Sequence, residues 1–296
     1  MVNNNITWIG EKKTTDPMFA DQIFELPSDD NSLVGFAVGV ALQGSHTVLD
    51  LPSIYSLPEV MLHLQKCDFT NTNPVHSLTY RSNNTVEDRS HEFPLSLVVR
   101  IPISNADNIG SILEQCSSTN SKNIEVWMSS NDTVKSHISR SRRASPLILL
   151  QYMSNSQSPL STVSSKPLLW KDKKAEKAKS LISIFVSPSS FTLCESILEE
   201  IGDDILQQSG WDSEEYGFEL IVLQQLQPLP LDEIKEIMDD TGRGIFVDIL
   251  SSAFLVCIEG SFWRLEAQPQ QMFLGHLSYQ KAKRALARAL SLQLER

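Results

Sequence analysis

Residues 26–44 constrain the fold more than any other stretch of this chain of 296 residues. An acidic turn with Asp29 and Asp30 precedes a run of small and apolar residues, in which Gly35 and Gly39 are four positions apart. On a helix this spacing stacks both glycines on one face, which can approach another backbone to within about 8 Å. Because glycine inside a helix costs roughly 1 kcal/mol relative to alanine, two of them indicate close packing or an interface. The alternative interpretation is an ordinary buried helix start.

The second half of the chain alternates strand-like with helix-like segments. Apolar runs at 181–186, 218–226 and 244–250 predict strands. Residues 189–208 carry a helical stripe of apolar side chains, and another helix is predicted to begin near residue 231. Strands that alternate with helices predict a parallel sheet with right-handed crossovers.

The final segment, residues 279–295, has the pattern of a surface helix. Its apolar residues recur on one face and its basic residues on the other. The apolar set is Ala282, Leu286, Ala289 and Leu290, and the basic set is Lys283, Arg284 and Arg288. This helix is predicted to close the second sheet from the outside.

Composition excludes several classes of function. The net charge of −11 argues against a general nucleic-acid binder, because such proteins need a basic face. No apolar run approaches the roughly 20 residues of a membrane helix, so direct membrane insertion is not expected. The 4 cysteines are widely spaced and have no histidines at ligand spacing, so neither a metal site nor a disulfide framework is predicted. A reducing intracellular compartment fits them best.

Several further segments of the chain carry recognisable patterns, and their order along the sequence can be compared with that of a known family. They are 47–51, Arg100 after the apolar run 95–99, 124–127, 131–135, 142–150, 216–223, 228–232 and 241–247. Together with residues 26–44, they resemble the beta subunit of the first, thiamine-diphosphate-dependent component of 2-oxo acid dehydrogenase complexes, a transketolase-like family. The resemblance covers roughly residues 6–250.

This resemblance implies an α/β fold of two doubly wound domains with mainly parallel sheets. The first, residues 1–154, resembles a transketolase pyrimidine-binding domain. Residues 155–180, rich in Ser, Pro and Lys, are expected to be a linker. Residues 181–296 resemble a shortened transketolase C-terminal domain.

The resemblance also implies where catalytic groups belong. In that family the partner alpha subunit holds the diphosphate and magnesium of thiamine diphosphate, and the beta subunit binds the aminopyrimidine with a glutamate and an aromatic ring. Asp30 stands in place of the glutamate, and Tyr55 is the one ring after the second strand. An aspartate retracts the carboxyl group by about 1.5 Å, and a misplacement of about 1 Å can cost ~100-fold in rate.

Other family positions are also changed. Between His91 and His137 there is no histidine, although the family has one facing the substrate in this region. Loss of such an acid/base group usually removes ~100- to 10,000-fold of rate. Gln227 replaces an expected arginine, and His276 is an isolated histidine whose more common role is structural.

The sequence therefore predicts a catalytically degenerate relative that acts as a structural or assembly subunit, without a bound cofactor. Its expected partners are an alpha-subunit-like protein, a second copy or a larger assembly, and the resemblance places it in the mitochondrial matrix or a plastid. In this interpretation Gly35 and Gly39 serve an interface. The alternative is an active beta subunit in which Asp30 and Tyr55 bind thiamine diphosphate held mainly by a partner. A regulatory module with a small molecule in the vacated cleft is a third hypothesis.

Overall fold

The structure is a computed structural model, and its described residues are 6–10, 23–24, 30–66, 95–103, 124–130, 146–152, 168–170, 179–188, 190–227, 229–248, 270–273 and 277–295. Within these ranges the chain forms two sheets, one of 7 strands and one of 5. Most neighbouring strands are parallel, and helices pack against them. The predicted α/β class is confirmed.

The first sheet is built mainly from the first half of the chain. Its strands are β1 (Ile6–Ile9), β2 (Ile23–Phe24), β3 (His46–Asp50), β4 (Leu97–Ile103), β5 (Glu125–Ser130) and β6 (Leu147–Tyr152), with β10 (Gln225–Gln227) at one edge. Their order in space is β10-β5-β6-β4-β3-β1-β2. This order places the carboxyl ends of β1, β3 and β4 side by side.

Two helices cover one face of this sheet. They are α1 (Asp30–Leu42) and α2 (Leu57–Lys66), and a short 3-10 turn at Ile54–Ser56 precedes α2. Alternate strand residues, among them Ile9, Leu49 and Val99, form one core with these helices. The intervening residues face the other side, where they form a smaller buried cluster of Trp8, Val48, Val98, Trp127, Leu147 and Leu149. Since both faces are buried, these strands are apolar almost throughout.

The second sheet has the strand order β12-β11-β8-β9-β7. Its strands are β7 (Leu168–Trp170), β8 (Lys179–Val186), β9 (Tyr216–Leu223), β11 (Gly244–Asp248) and β12 (Gln270–Phe273). Its helices are α3 (Phe191–Gln208), α4 (Leu231–Thr241) and α5 (Tyr279–Leu294). Helices α3 and α5 share one core with the sheet, and α4 packs on the opposite face.

Local chemistry explains several of these elements. The buried residues of α5 include Ala282, Leu286, Ala289 and Leu290, which confirms the predicted apolar face. On the opposite side of the sheet, Phe185 and Phe246 stack with ring centroids 4.6 Å apart. Helix α4 ends at Gly242, whose φ of 67° lies in the left-handed region that glycine adopts without a Cβ penalty. The elements thus follow from sequence patterns acting over a few residues.

One predicted strand is divided in the structure. Instead of a single strand over 218–226, the chain forms β9 in the second sheet and then β10, which pairs antiparallel with β5 in the first sheet. The crossing point is Gln224, whose backbone carbonyl accepts a hydrogen bond of 2.7 Å from the backbone N–H of Met128. The change of sheet is due to backbone hydrogen bonds with β5, which is distant in the sequence. The apolar pattern of residues 218–226 contains no information about this pairing.

Strand β7 lies in the segment that is expected to join the two domains. It runs antiparallel to β9, with Leu169 opposite Val222. The expected domain limits at residues 154 and 180 remain a prediction.

Candidate functional site

The carboxyl edge of the first sheet is the candidate functional site. In open α/β sheets, ligands bind in the crevice outside the carboxyl ends of the strands. Gly10 directly follows β1, and Asp50 is the last residue of β3. Arg100 lies beside Asp50 because β3 and β4 are parallel with these two residues in register.

Trp8, Asp50 and Arg100 form a polar cluster at this edge. The indole Nε1–H of Trp8 donates a hydrogen bond of 2.6 Å to Asp50 Oδ2. Arg100 Nε lies 2.9 Å from Asp50 Oδ1, and the guanidinium carbon lies 4.9 Å from the centroid of the Trp8 ring. One carboxylate and one indole therefore hold the arginine from two sides, by charge and by cation–π attraction.

The Asp50–Arg100 contact is mainly an attraction of opposite charges. Both side chains are largely buried, with 16% and 15% of their surface exposed. Although these atoms are close, the Nε–H bond of Arg100 is not aligned with Asp50 Oδ1 as a hydrogen bond requires. A buried pair of this kind is costly to break, because removing one partner leaves the other charge uncompensated.

Gly10 lets β1 end directly against Asp50. Its φ is 150°, and an added Cβ would lie 2.7 Å from Asp50 Cβ and 2.9 Å from the Asp50 carbonyl oxygen. With contacts this short, the backbone of β1 or β3 must shift before any side chain fits at position 10. The glycine thus belongs to the architecture of the cluster.

The sequence-predicted site residues lie on α1 and on the turn after β3. Asp30 is the first residue of α1, but its side chain lies outside the described residues. Tyr55 lies in the 3-10 turn after β3 with 65% of its surface exposed, and its backbone N–H donates to Ser53 Oγ at 3.2 Å. The proposed contact of either residue with an aminopyrimidine remains a prediction.

Gly35 and Gly39 lie on the exposed side of α1. A Cβ added at either position would meet nothing within 4 Å. The described part of the chain therefore makes no close approach at these glycines. Their expected role at an interface remains a prediction about another molecule.

Sequence reasoning missed the roles of Trp8, Gly10 and Asp50, and it treated Arg100 only as the end of an apolar run. The available signal was the presence of charged residues in two otherwise apolar strands, since such residues are rarely buried without a partner. Which residue supplies the partner is a matter of strand order, and Trp8 and Asp50 are separated by 42 positions in the sequence.

Asp50, the carboxylate of the described cluster, already has partners within the chain. Asp50 is held by Arg100 and Trp8, so it offers a pinned carboxylate rather than one directed at a pyrimidine ring. Across the described ranges, no three His, Cys, Asp or Glu side chains come together as metal ligands do. The expected absence of a cofactor remains a prediction, since Asp30 would be the binding carboxylate.

Two further sequence predictions concern the described ranges. Cys194 is buried in α3, as expected for a small core residue, whereas Cys67, Cys116, Cys257 and His276 lie outside those ranges. In the same part of the chain, every helix is too short or too polar to cross a lipid bilayer.

The two sheets, with their strand order and helices, define a transketolase-like fold. A solved structure described as a split gene transketolase, inactive beta4 tetramer, matches 99% of this chain and 91% of its own chain with a TM-score of 0.64. The sequence identity is 11%, so the likeness shows the fold alone. No family model matches the chain, and no curated protein matches it.

Proposed function

We propose that this chain is a catalytically degenerate relative of the beta subunits of 2-oxo acid dehydrogenase first components and acts as an assembly subunit. It pairs with a second copy of itself through the outer face of α1. The observation that carries this proposal is that α1 has no polar outer face, although half of it is exposed.

Helix α1 is apolar on all sides after its first turn. The ten residues 33–42 include no polar side chain. Leu33, Ala37 and Ala41 are buried, whereas Phe36 and Leu42 expose 41% and 39% of their surfaces. A helix that is hydrophobic all round is normally buried on all sides. The outer face of α1 therefore has the character of a surface that another protein covers.

The two glycines of α1 support the same conclusion. Each costs roughly 1 kcal/mol of helix stability relative to alanine. Among the described residues nothing lies within 4 Å of a Cβ added at Gly35 or Gly39, so no contact among them offsets this cost. A second helix crossing at the glycines could approach closely and bury Phe36 and Leu42, which would offset it.

A second copy is the occupant that we infer. The structure with the similar fold is described as an inactive beta4 tetramer, an assembly of beta subunits without activity. An isologous contact needs only one self-complementary patch, and an apolar helix with a small-residue groove is such a patch. Loss of chemistry is supported by Asp30 in place of the family glutamate and by the commitment of Asp50 to Arg100.

Sedimentation velocity of the full chain tests the pairing. We expect the wild type to form dimers or larger species, and Phe36→Glu to dissociate the α1 contact because it would bury a charge. Leu62→Glu is the matched control, since Leu62 is an exposed leucine on the neighbouring helix α2. A monomeric wild type, or equal effects of both variants, would contradict the proposal.

The lack of catalysis needs a separate test. The chain would be co-expressed with an alpha subunit of a 2-oxo acid dehydrogenase and assayed for decarboxylation of 2-oxo acids. We expect no turnover above that of the alpha subunit alone. Turnover that Asp30→Asn abolishes would instead establish an active beta subunit, with Asp30 as the acid at the aminopyrimidine of thiamine diphosphate.

A further inference from the structure

Helix α5 carries a basic stripe on its outer face, formed by Lys281, Arg284 and Arg288. All three are exposed and recur at intervals of three and four residues, so they share one side of the helix. Within the described part of the chain none of them forms an ion pair, whereas the neighbouring Lys283 pairs with Glu200. In a chain of net charge −11, this is a local concentration of unpaired positive charge.

Exposed leucines border the basic stripe. Leu277 precedes it by four residues, Leu292 follows it by four, and both are exposed. Leu292 shares the helical side of the stripe, whereas Leu277 precedes the first residue of α5, so apolar surface follows the stripe on the helix itself only at its C-terminal end. Surfaces of this composition fit a partner that has acidic groups at its centre.

Helix α4 carries an acidic stripe formed by Asp232, Glu236 and Asp239. These residues are exposed and recur at intervals of four and three residues. In the described part of the chain they too form no ion pair. Glu233 and Asp240 add further exposed acids beside the stripe, and Lys235 is the one basic residue of the helix.

The two stripes match in spacing. The ends of each stripe are seven residues apart along the helix, or about 10.5 Å at 1.5 Å per residue. The intervals of the basic stripe are three then four, and those of the acidic stripe are four then three. In an antiparallel pair of helices, Lys281 would thus lie opposite Asp239, Arg284 opposite Glu236 and Arg288 opposite Asp232.

One copy of the chain cannot form this pair by itself. Helix α5 packs with α3 on one face of the second sheet, and α4 packs on the other face. We therefore propose that the basic stripe on α5 of one copy binds the acidic stripe on α4 of a second copy. This contact is separate from the α1 contact of the proposed function and does not depend on it.

The proposed contact joins two different surfaces, so it is heterologous. In a bound pair, one copy still offers its acidic stripe and the other its basic stripe. Further copies can add until the rotation closes a ring, or without limit if it does not close. Because the contact rests on exposed charges, it weakens as ionic strength rises.

Charge reversal with rescue tests the contact in the full chain. The basic-stripe variant is Lys281→Glu/Arg284→Glu/Arg288→Glu, and the acidic-stripe variant is Asp232→Lys/Glu236→Lys/Asp239→Lys. Both would be made in the Phe36→Glu background, which removes association through α1, and studied by sedimentation velocity at low salt. We expect Phe36→Glu alone to show salt-sensitive association, and each stripe variant to bind itself at least tenfold more weakly.

An equimolar mixture of the two stripe variants should associate again, because each acidic surface then meets a basic one. Glu59→Lys/Glu199→Lys/Glu215→Lys is the control with the same charge change as the acidic-stripe variant at exposed sites elsewhere, and it should associate like the background. A background protein that is monomeric at low salt, or a mixture that stays dissociated, would overturn the proposal.

Discussion

Helices α1 and α5 each cover a parallel sheet with an apolar inner face, but their outer faces differ. The outer face of α1 presents Phe36, Leu42 and two glycines, and that of α5 presents three exposed cations. The inner faces are set by the need to bury the sheet, which is common to α/β domains. The outer faces differ because nothing in the fold prescribes them, and they are where we propose that association is specified.

The interiors of the two sheets differ as well. The first sheet buries the charge pair Asp50–Arg100 at its carboxyl edge. Among the described residues, the fully buried polar side chains of the second sheet are uncharged. An example is Ser183, whose hydroxyl lies 3.0 Å from that of Thr241 and donates at 3.4 Å to the carboxylate of the partly buried Glu219. We infer that the first sheet is more sensitive to the loss of a single polar group, because an unpaired buried charge costs more than an unpaired hydroxyl.

The largest effect is expected for Arg100→Leu. It leaves Asp50 uncompensated, which should lower the free energy of unfolding by about 3 kcal/mol, near the lower end for broken buried pairs because some solvent reaches both groups. Denaturant unfolding measures it. Arg284→Leu on the outer face of α5 is the control and should change the value by less than about 0.5 kcal/mol. Equal losses would remove the distinction between the two sheets.

Gly10→Ala should have the next largest effect. Its Cβ would overlap with Asp50, and overpacking of this kind costs about 1–3 kcal/mol in the free energy of unfolding. Gly44→Ala separates steric overlap from backbone strain, because Gly44 has a φ of 88° but nothing within 4 Å of an added Cβ. If both variants lose the same stability, the close approach to Asp50 is not the cause.

Gly39→Ala sharpens the contrast between outer faces. With open space around position 39, alanine should raise the stability of the isolated subunit by about 0.5–1 kcal/mol while weakening self-association. Gly202→Ala in α3 is the matched control, since its Cβ would meet the Phe218 ring at an ordinary 3.7 Å. It should leave association unchanged. Sedimentation velocity and thermal unfolding together distinguish the two results.

The smallest effect concerns the contact between α3 and α5. Hydrogen bonds from Lys283 and then Tyr279 lower the pKa of Glu200, and the bond to Glu200 raises the pKa of Tyr279. The stability that the Glu200 carboxylate contributes is fully present above the pKa that Glu200 has in the unfolded chain. It is lost as the pH falls through the lowered pKa of the folded chain. The stability that Tyr279 contributes is fully present below the pKa that Tyr279 has in the unfolded chain, and it is lost as the pH rises through the raised pKa of the folded chain.

Glu200→Gln should therefore flatten the pH dependence of thermal unfolding at both the acid and the alkaline end. Glu199→Gln, at an exposed neighbour on the same helix, should leave the profile unchanged. A wild-type profile identical to that of Glu200→Gln would show that this surface contact contributes nothing measurable, as many exposed ion pairs do not.

The sequence alone determined the elements and the fold class. Apolar periodicity acts over a few residues, so the strand at 181–186 and the helix at 279–295 were predicted close to β8 and α5. The resemblance to a transketolase-like family extended this to the first sheet, where His46–Asp50 confirms the strand predicted at 47–51. The apolar character of α1 on all sides could also be read from its sequence, because residues 33–42 contain no polar side chain.

Only the tertiary structure decided which of these residues meet. Trp8, Asp50 and Arg100 lie far apart in sequence, and they come together because β1, β3 and β4 are neighbours in one sheet. The passage of residues 225–227 into the first sheet, and the placement of α4 and α5 on opposite faces of the second, have the same origin. Strand order and crossover direction are set by long-range backbone pairing and packing, which a local pattern of side chains does not encode.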